Sequence, residues 1–422
     1  IFTNLSQDFR NMTEKESALY SHYIIDGVRM DMTPADLLEE CMEYEDSEFQ
    51  SGFNDIIDES TEPPLSSFEY EDDKEHEYLQ QTLASSVEER EFRMLYPEHF
   101  TKLQIAKALL SRLWSEGHFK LGNLKLWAQW EWNTRPLGNM AAFYRSAEAA
   151  SEYLYGLGVK LEDYLFIEGD EGSNAKFYAW LDEQYDRSFS DGQDDRRDDP
   201  DDREDIQNDK CHVERSETSD DQVALFKSSP FESRHPWISD ERKCSSTVSG
   251  NPGDWLIYIP FDTCRFRLGA SLLTKVAGHN GGVAPEIADP DYFIDCYEVI
   301  RELTEDGIIK AGHTVGEGGL ATAAGKMFAE HGLEMDISGI MSSYGENNAV
   351  NILFGEIPGV LIQISDNDFD YVDSQLILQD VAYYPLGHPT ADFKGLKFAE
   401  KGRKGVADIL ASLLGQATEG ED

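Results

Sequence analysis

Positions 313–320 read HTVGEGGL and bring His313, Gly316, Glu317, Gly318 and Gly319 within eight residues. Glycine lets the main chain take left-handed turns and approach a ligand closely, and unpaired amides at a helix N-terminus carry partial positive charge. A segment of this kind can hold a phosphate or carboxylate. It equally suits a tight turn where glycine only lets a helix pack on a sheet, because its spacing matches neither GxGxxG nor a lysine-bearing phosphate loop. Trp127, Trp130 and Trp132 are candidates for stacking a base, although their setting also fits a packed core. No GxSxG elbow occurs. The five cysteines, Cys41, Cys211, Cys244, Cys264 and Cys296, form no CxxC pair and no recognisable nucleophile setting. His279, His331 and His388 are scattered, and the Cys211-His212 pair and His235 read as bystanders rather than metal ligands.

The elements needed to position HTVGEGGL follow from periodicity. Residues 308–311 read as a strand before it and 320–331 as a helix after it. Further strands are expected at 254–259, 348–354 and 359–364, and helices at 272–277 and 371–378. Asp289-Pro290 makes a strong helix start, with Gly307 as its terminator. Upstream, Thr101 is a candidate cap for a helix with Leu103, Ala106, Leu110, Leu113 and Trp114 on one face. Residues 124–132 alternate as a strand, 133–139 turn, 140–154 form a helix and 159–167 a second strand. Thr33-Pro34 opens a short helix over 35–42, and a last amphipathic helix lies within 394–414.

Charge gives the domain boundaries. The chain has 422 residues, 36 Lys and Arg against 82 Asp and Glu, and a formal charge of -46. This balance excludes a nucleic-acid binder and an anionic-membrane binder, since phosphate contacts need a basic footprint. Residues 1–100, with 26 acidic and 6 basic side chains, read as an acidic, partly disordered leader. Residues 101–185 form a reduced N-terminal α+β domain, 186–250 a disordered acidic insert, 251–392 a C-terminal α/β domain, and 393–422 a helix and tail. Lack of a signal peptide, of a run of about 20 apolar residues and of a disulfide pattern points to the cytoplasm.

Six segments taken in order carry a family resemblance: GDWLIYI (253–259), RLGAS (267–271), APEIADPDYF (284–293), DGIIKAGHTVGEGGL (306–320), HGLEMDIS (331–338) and NILFGEIPGVLIQI (351–364). Together they resemble the C-terminal domain shared by aminoimidazole ribonucleotide synthetase and phosphoribosylformylglycinamidine synthase, closest to the large single-chain synthase. The family's RLGGS block is matched by Arg267, Leu268, Gly269 and Ser271, with Ala270 replacing a glycine. Its HDxSDGGL block is matched by His313, Gly318, Gly319 and Leu320, while Thr314, Gly316 and Glu317 stand where Asp, Ser and Asp are expected. Glu356 fits the acidic position after LF, but Ile357 and Pro358 depart from the pattern. The synthase's THNHP segment has only Glu131, Asn133 and Pro136 as candidate remnants here, without its histidines.

The resemblance implies an ATP-dependent carbon–nitrogen ligase of purine biosynthesis, forming an amidine with ATP and Mg²⁺, or a subunit or divergent relative of one. Arg267, Gly269, Ser271, Gly316, Gly318, Gly319 and Glu356 would then bind the phosphate or amide end of a small ribotide, with Glu317 and His313 as catalytic candidates. Metal ligands are not identifiable, and a homodimer is allowed because relatives often pair through the N-terminal domain. The other reading is a non-catalytic ligand-binding or assembly protein, needing no cofactor, that kept the C-terminal domain and lost the nucleotide site.

Overall fold

A computed structural model of the chain describes residues 18–43, 95–169, 172–181, 241–277, 282–328 and 330–398. After a short antiparallel pair, β1 (Ile24–Ile25) and β2 (Val28–Arg29), the N-terminal lobe is built on a three-stranded sheet ordered β4-β3-β5, formed by β3 (Leu124–Trp132), β4 (Lys160–Glu168) and β5 (Asn174–Leu181). β4 runs parallel to β3, and β5 antiparallel. Strand alternation turns Leu126, Ala128 and Trp130 inward, where they meet α2 (Pro97–Leu113) and α3 (Asn139–Leu157). Trp130 is fully buried, and its indole donates to Ser146 Oγ, so these tryptophans are core.

Several boundaries move. α2 begins at Pro97, and Thr101 sits inside it, its hydroxyl donating to the Pro97 carbonyl, so Thr101 is not the cap. The leader's helix, α1 (Pro34–Glu43), belongs to the lobe's core through Ala35, Leu38 and Cys41. Thr33 and Asp36 cap it reciprocally, Thr33 N donating to the Asp36 carboxylate at 2.8 Å and Asp36 N to Thr33 Oγ1 at 3.2 Å. Of the expected insert, residues 186–240 lie outside the described residues. Residues 241–250 are packed: Ser245 bridges to Ala311, and Cys244 and Val248 are buried.

In the C-terminal lobe, β6 (Trp255–Pro260), β7 (Ala311–Val315), β9 (Gly359–Ile364) and β10 (Tyr384–Gly387) make a sheet ordered β10-β6-β9-β7, antiparallel at every pairing. The overall architecture is α+β. A smaller sheet orders β11 (Pro389–Thr390), β8 (Gly332–Met335) and β12 (Gly395–Phe398) around β8. The expected helix within 394–414 therefore starts as a strand, and residues 399–414 lie outside the described residues. The expected strand at 348–354 is instead helix α8 (Ala349–Phe354), capped by Asn348, whose side chain accepts from Val350 N. Strand β7 starts at Ala311, not 308, which draws His313 into it.

The large sheet is buried on both faces, as the unbroken apolar run in β6 requires. Ile257, Ile259, Val360 and Ile362 face the N-terminal lobe and join its core. They meet α5 (Pro290–Glu305), whose cap Asp289 accepts from Tyr292 N, and α9 (Phe369–Leu378). Leu256, Tyr258, Ala311, Val315 and Leu361 face the other way, toward α6 (Gly319–Met327), α7 (Ser338–Tyr344) and α8. The two lobes thus share one hydrophobic core.

Candidate functional site

Where β7 ends, residues 316–318 turn sharply into α6, and this turn meets α2 and β5 of the N-terminal lobe. A cleft of about 280 Å³ opens there, with Phe100 and Phe177 supplying apolar wall and Gln104, Lys107, Lys176 and Glu317 polar wall. β5 is the last strand of its sheet, and its residues 174–178 line the cleft in succession. Glu317 is buried, its side chain 4% exposed, and receives Gln104 Nε2 on Oε1 at 2.6 Å and Lys107 Nζ on Oε2 at 3.1 Å. Gln104, Lys107 and Ser111 recur at three- and four-residue intervals, the polar stripe of an otherwise buried helix.

The other expected site residues gather elsewhere. Glu356, 1% exposed, places Oε1 2.8 Å from Gly318 N and 2.6 Å from Leu272 N. One buried carboxylate oxygen thereby closes both glycine-containing turns, 267–271 and 316–319. Gly319 N donates to the Gly316 carbonyl, so this amide too is satisfied within the turn. In the first turn, a Cβ on Gly269 would lie 2.3 Å from the main chain of Val283 and Ala284, so glycine is there for close packing. Ser271 is fully buried, and its hydroxyl accepts from Thr274 N as the cap of α4 (Leu272–Ala277). Ala270, where the family has glycine, sits at φ 63°, a left-handed conformation costing about 1–2 kcal/mol for a side-chain-bearing residue. Arg267 is half-buried beside this turn. None of these residues lines the cleft; Glu317 alone among the expected set does.

His313 and Glu317 do not work on one face. Alternation along β7 puts His313 with Ala311 and Val315, toward α6, and turns Gly312 and Thr314 toward the N-terminal lobe. The His313 Nδ1 lies 2.8 Å from the Thr314 carbonyl oxygen, which can only accept, so Nδ1 carries the proton. Burial, the largest cause, holds the imidazole pKa below its ordinary 6.5, and Lys326 and Arg242 act in the same direction. The folded chain thus keeps His313 neutral where the unfolded chain would protonate it. Its contribution to stability is complete above about pH 6.5 and is lost as pH falls toward the depressed folded value. His313→Gln is expected to flatten part of the stability decline between about pH 7 and 5, read as urea midpoints. A variant declining as steeply as the parent would assign the dependence to other groups.

Sequence reasoning missed Gln104, Lys107 and Lys176, which complete the cleft around Glu317. The stripe on α2 was the available signal, but only the fold sets it against a carboxylate 213 and 210 residues further along the chain. The THNHP-like positions lie at the end of β3, where Glu131 is opposite Asn174 of the cleft. Glu131 accepts from Gln129, and Asn133 Oδ1 from Arg135 N. Burial raises the thiol pKa of Cys41, Cys244, Cys264 and Cys296, which leaves these thiols protonated and poor nucleophiles. No described helix is long and apolar enough to cross a membrane.

A family model described as AIR synthase related protein, C-terminal domain, matches residues 251–393. A probable phosphoribosylformylglycinamidine synthase, chloroplastic/mitochondrial, of Arabidopsis thaliana is 29% identical over 137 residues, 32% of this chain and 9% of that protein. Residues 251–393 are thus a divergent domain of the AIR synthase-related kind. Among solved structures, Thermotoga maritima PurL complexed with FGAR is similar at 10% identity and TM-score 0.48, over 74% of this chain and 42% of that one. The same protein complexed with ATP gives 10% identity and TM-score 0.45, over 75% and 42%. E. coli HypE, a hydrogenase maturation protein, gives 12% identity and TM-score 0.39, over 71% and 76%. The AIR synthase-related domain contributes the large sheet, both glycine turns and Glu356, whereas Gln104, Lys107 and Lys176 come from outside the matched residues. The match spans less than a tenth of the length of the plant synthase.

Proposed function

We propose that this chain is a ligand-binding relative of the amidine-forming synthases of purine biosynthesis, taking a small phosphate-bearing molecule in the cleft between α2, β5 and the 316–319 turn. One observation carries the reading: Glu356 occupies the amides of Gly318 and Leu272, the groups that an anion at the glycine turns would need. Binding capacity is left to the cleft, where Lys107 and Lys176 supply positive charge in an otherwise strongly acidic chain. Its volume of about 280 Å³ suits a sugar phosphate.

ATP with Mg²⁺ is a poor match to the residues at hand. Magnesium needs carboxylate oxygens that can turn toward it and toward substrate phosphates. Glu356 is buried against two amides, Glu317 is held by Gln104 and Lys107, and no three His, Cys, Asp or Glu side chains converge among the described residues. We assign no phosphoryl-transfer step to this site. The ligase reading retains one support, the position of Glu317 on the cleft at the place of a family aspartate.

Calorimetric titration of the full chain separates the two. Ribose 5-phosphate is expected to bind saturably, and Lys107→Gln with Lys176→Gln to weaken it about tenfold, equivalent to about 1.4 kcal/mol. Because Glu317 is paired with Lys107, Glu317→Gln is expected to tighten the probe about two- to fivefold, the worth of a partly exposed ion pair. Release of ADP from ATP that depends on an added formylglycinamide ribotide and ammonia would establish the ligase instead.

A further inference from the structure

The charged wall of the cleft is two lysines and one glutamate, which leaves it one positive charge. Lys107 is held by Glu317, whereas Lys176, exposed on β5, has no ion-pair partner among the described residues. Gln104 adds a group of the other kind. An ionised carboxylate only accepts, so the 2.6 Å contact with Glu317 Oε1 turns Nε2 of Gln104 toward it and leaves the amide Oε1 as an acceptor. That oxygen receives no hydrogen bond among the described residues and is not sealed from solvent, and Gln104 lies half-buried on the cleft wall.

A plain sugar phosphate uses only half of this arrangement. A phosphate monoester carries about -1.5 to -2 charges near neutral pH. To reach Lys107 it must take the ammonium from Glu317, whose side chain is 4% exposed, and a buried carboxylate stripped of its cation is costly. A ligand with its own cation removes that cost. Its ammonium replaces Lys107 at Glu317 and donates a second hydrogen bond to Gln104 Oε1, while Lys107, 42% exposed on a flexible stem, turns with Lys176 to the phosphate. No charge is left alone, and the net charge of such a ligand, about -0.5 to -1, balances the wall. Gln104 and Lys107 stand three residues apart on α2, roughly 4.5 Å along its axis, so amine and phosphate sit about one helical turn apart. The chain's formal charge of -46 favours the same ligand, because it repels a zwitterion less than a dianion.

We propose, resting on the phosphate reading of the cleft, that its ligand is an amine-bearing phosphate ester, with the ammonium between Glu317 and Gln104 Oε1 and the phosphate on Lys107 and Lys176. Glu317 is then a binding group for this ligand and a competitor for Lys107 only toward esters without an amine.

Calorimetric titration of the full chain with glucosamine 6-phosphate and glucose 6-phosphate at neutral pH tests it, since the two esters differ only in an amine or a hydroxyl at one ring carbon. The amine is expected to bind the parent chain about tenfold more tightly or better. This comparison needs no substitution. Glu317→Gln then separates the esters by sign: it is expected to weaken glucosamine 6-phosphate about tenfold and to tighten glucose 6-phosphate about two- to fivefold. Gln104→Met, which removes the acceptor at similar length, is expected to cut the preference for the amine about threefold. Equal affinity of the parent chain for the two esters, or a Glu317→Gln variant that tightens both, overturns the amine site and leaves the phosphate reading standing. Failure of both esters to bind removes the phosphate reading itself and the amine site with it.

Discussion

Glu356→Ala is expected to remove about 4 kcal/mol of folding stability, one of the two largest losses foreseen for a single substitution here. The carboxylate is 1% exposed, and its Oε1 receives Leu272 N at 2.6 Å and Gly318 N at 2.8 Å. Its removal strands two buried amide donors, each costing roughly 1–3 kcal/mol without a partner, and leaves a hole beside Gly355. Glu356→Gln separates charge from hydrogen bonding. The amide oxygen can still accept from both nitrogens but without the strength of a charged acceptor, so a loss of about 1–2 kcal/mol is expected. Urea unfolding of the full chain, followed by circular dichroism, reads both values. An alanine variant within about 1 kcal/mol of the parent would mean that the two turns close without the carboxylate, and the glycine turns would regain standing as anion sites.

That same carboxylate marks how far the sequence could be read. Local signals were legible because their physics is local: Asp289-Pro290 opens α5 as expected, and Thr33-Pro34 opens α1. The strand at 359–364 was legible from its apolar run, and the C-terminal domain from six motifs in order. The largely apolar run of α8 was not, since so short a stretch fits a buried strand or a short helix equally well until the Asn348 cap is seen. Nor was the site. Leu272 and Glu356 are 84 residues apart, and Gln104 and Glu317 are 213 apart, so no window of sequence contains either pair. Periodicity placed the strand at 308–311, ahead of His313, where the structure has Ala311–Val315, and so missed that His313 and the turn serve different faces. A family block in one line, HTVGEGGL, thus divides into three jobs: a buried neutral histidine, a cleft carboxylate and a turn amide, Gly318 N, closed by Glu356.

Thr314, the position where the family has aspartate, has a fourth job that explains the replacement and carries the other large prediction. Its Oγ1 accepts the indole N–H of Trp114 at 2.9 Å, linking β7 to the residue that ends α2. The ring is 3% exposed and lies where a side chain on Gly312 would be, since a Cβ there would approach Cζ3 to 2.1 Å. Arg242 stands 5.9 Å over the same ring and donates through Nη2 to the Gly312 carbonyl at 2.7 Å. Trp114 is therefore a joint between the lobes, at the C-terminal end of α2. Trp114→Ala is expected to cost about 3–5 kcal/mol through the cavity and the lost contact with Arg242. Trp114→Phe keeps part of the ring and leaves the Thr314 hydroxyl without its donor, for a loss of about 1–2 kcal/mol. A double-mutant cycle of Trp114→Phe with Thr314→Val isolates the hydrogen bond, with a coupling of about 0.5–1.5 kcal/mol expected. Strictly additive losses would detach Thr314 from the joint. The aspartate replaced in this chain would then need an explanation other than the packing of the lobes.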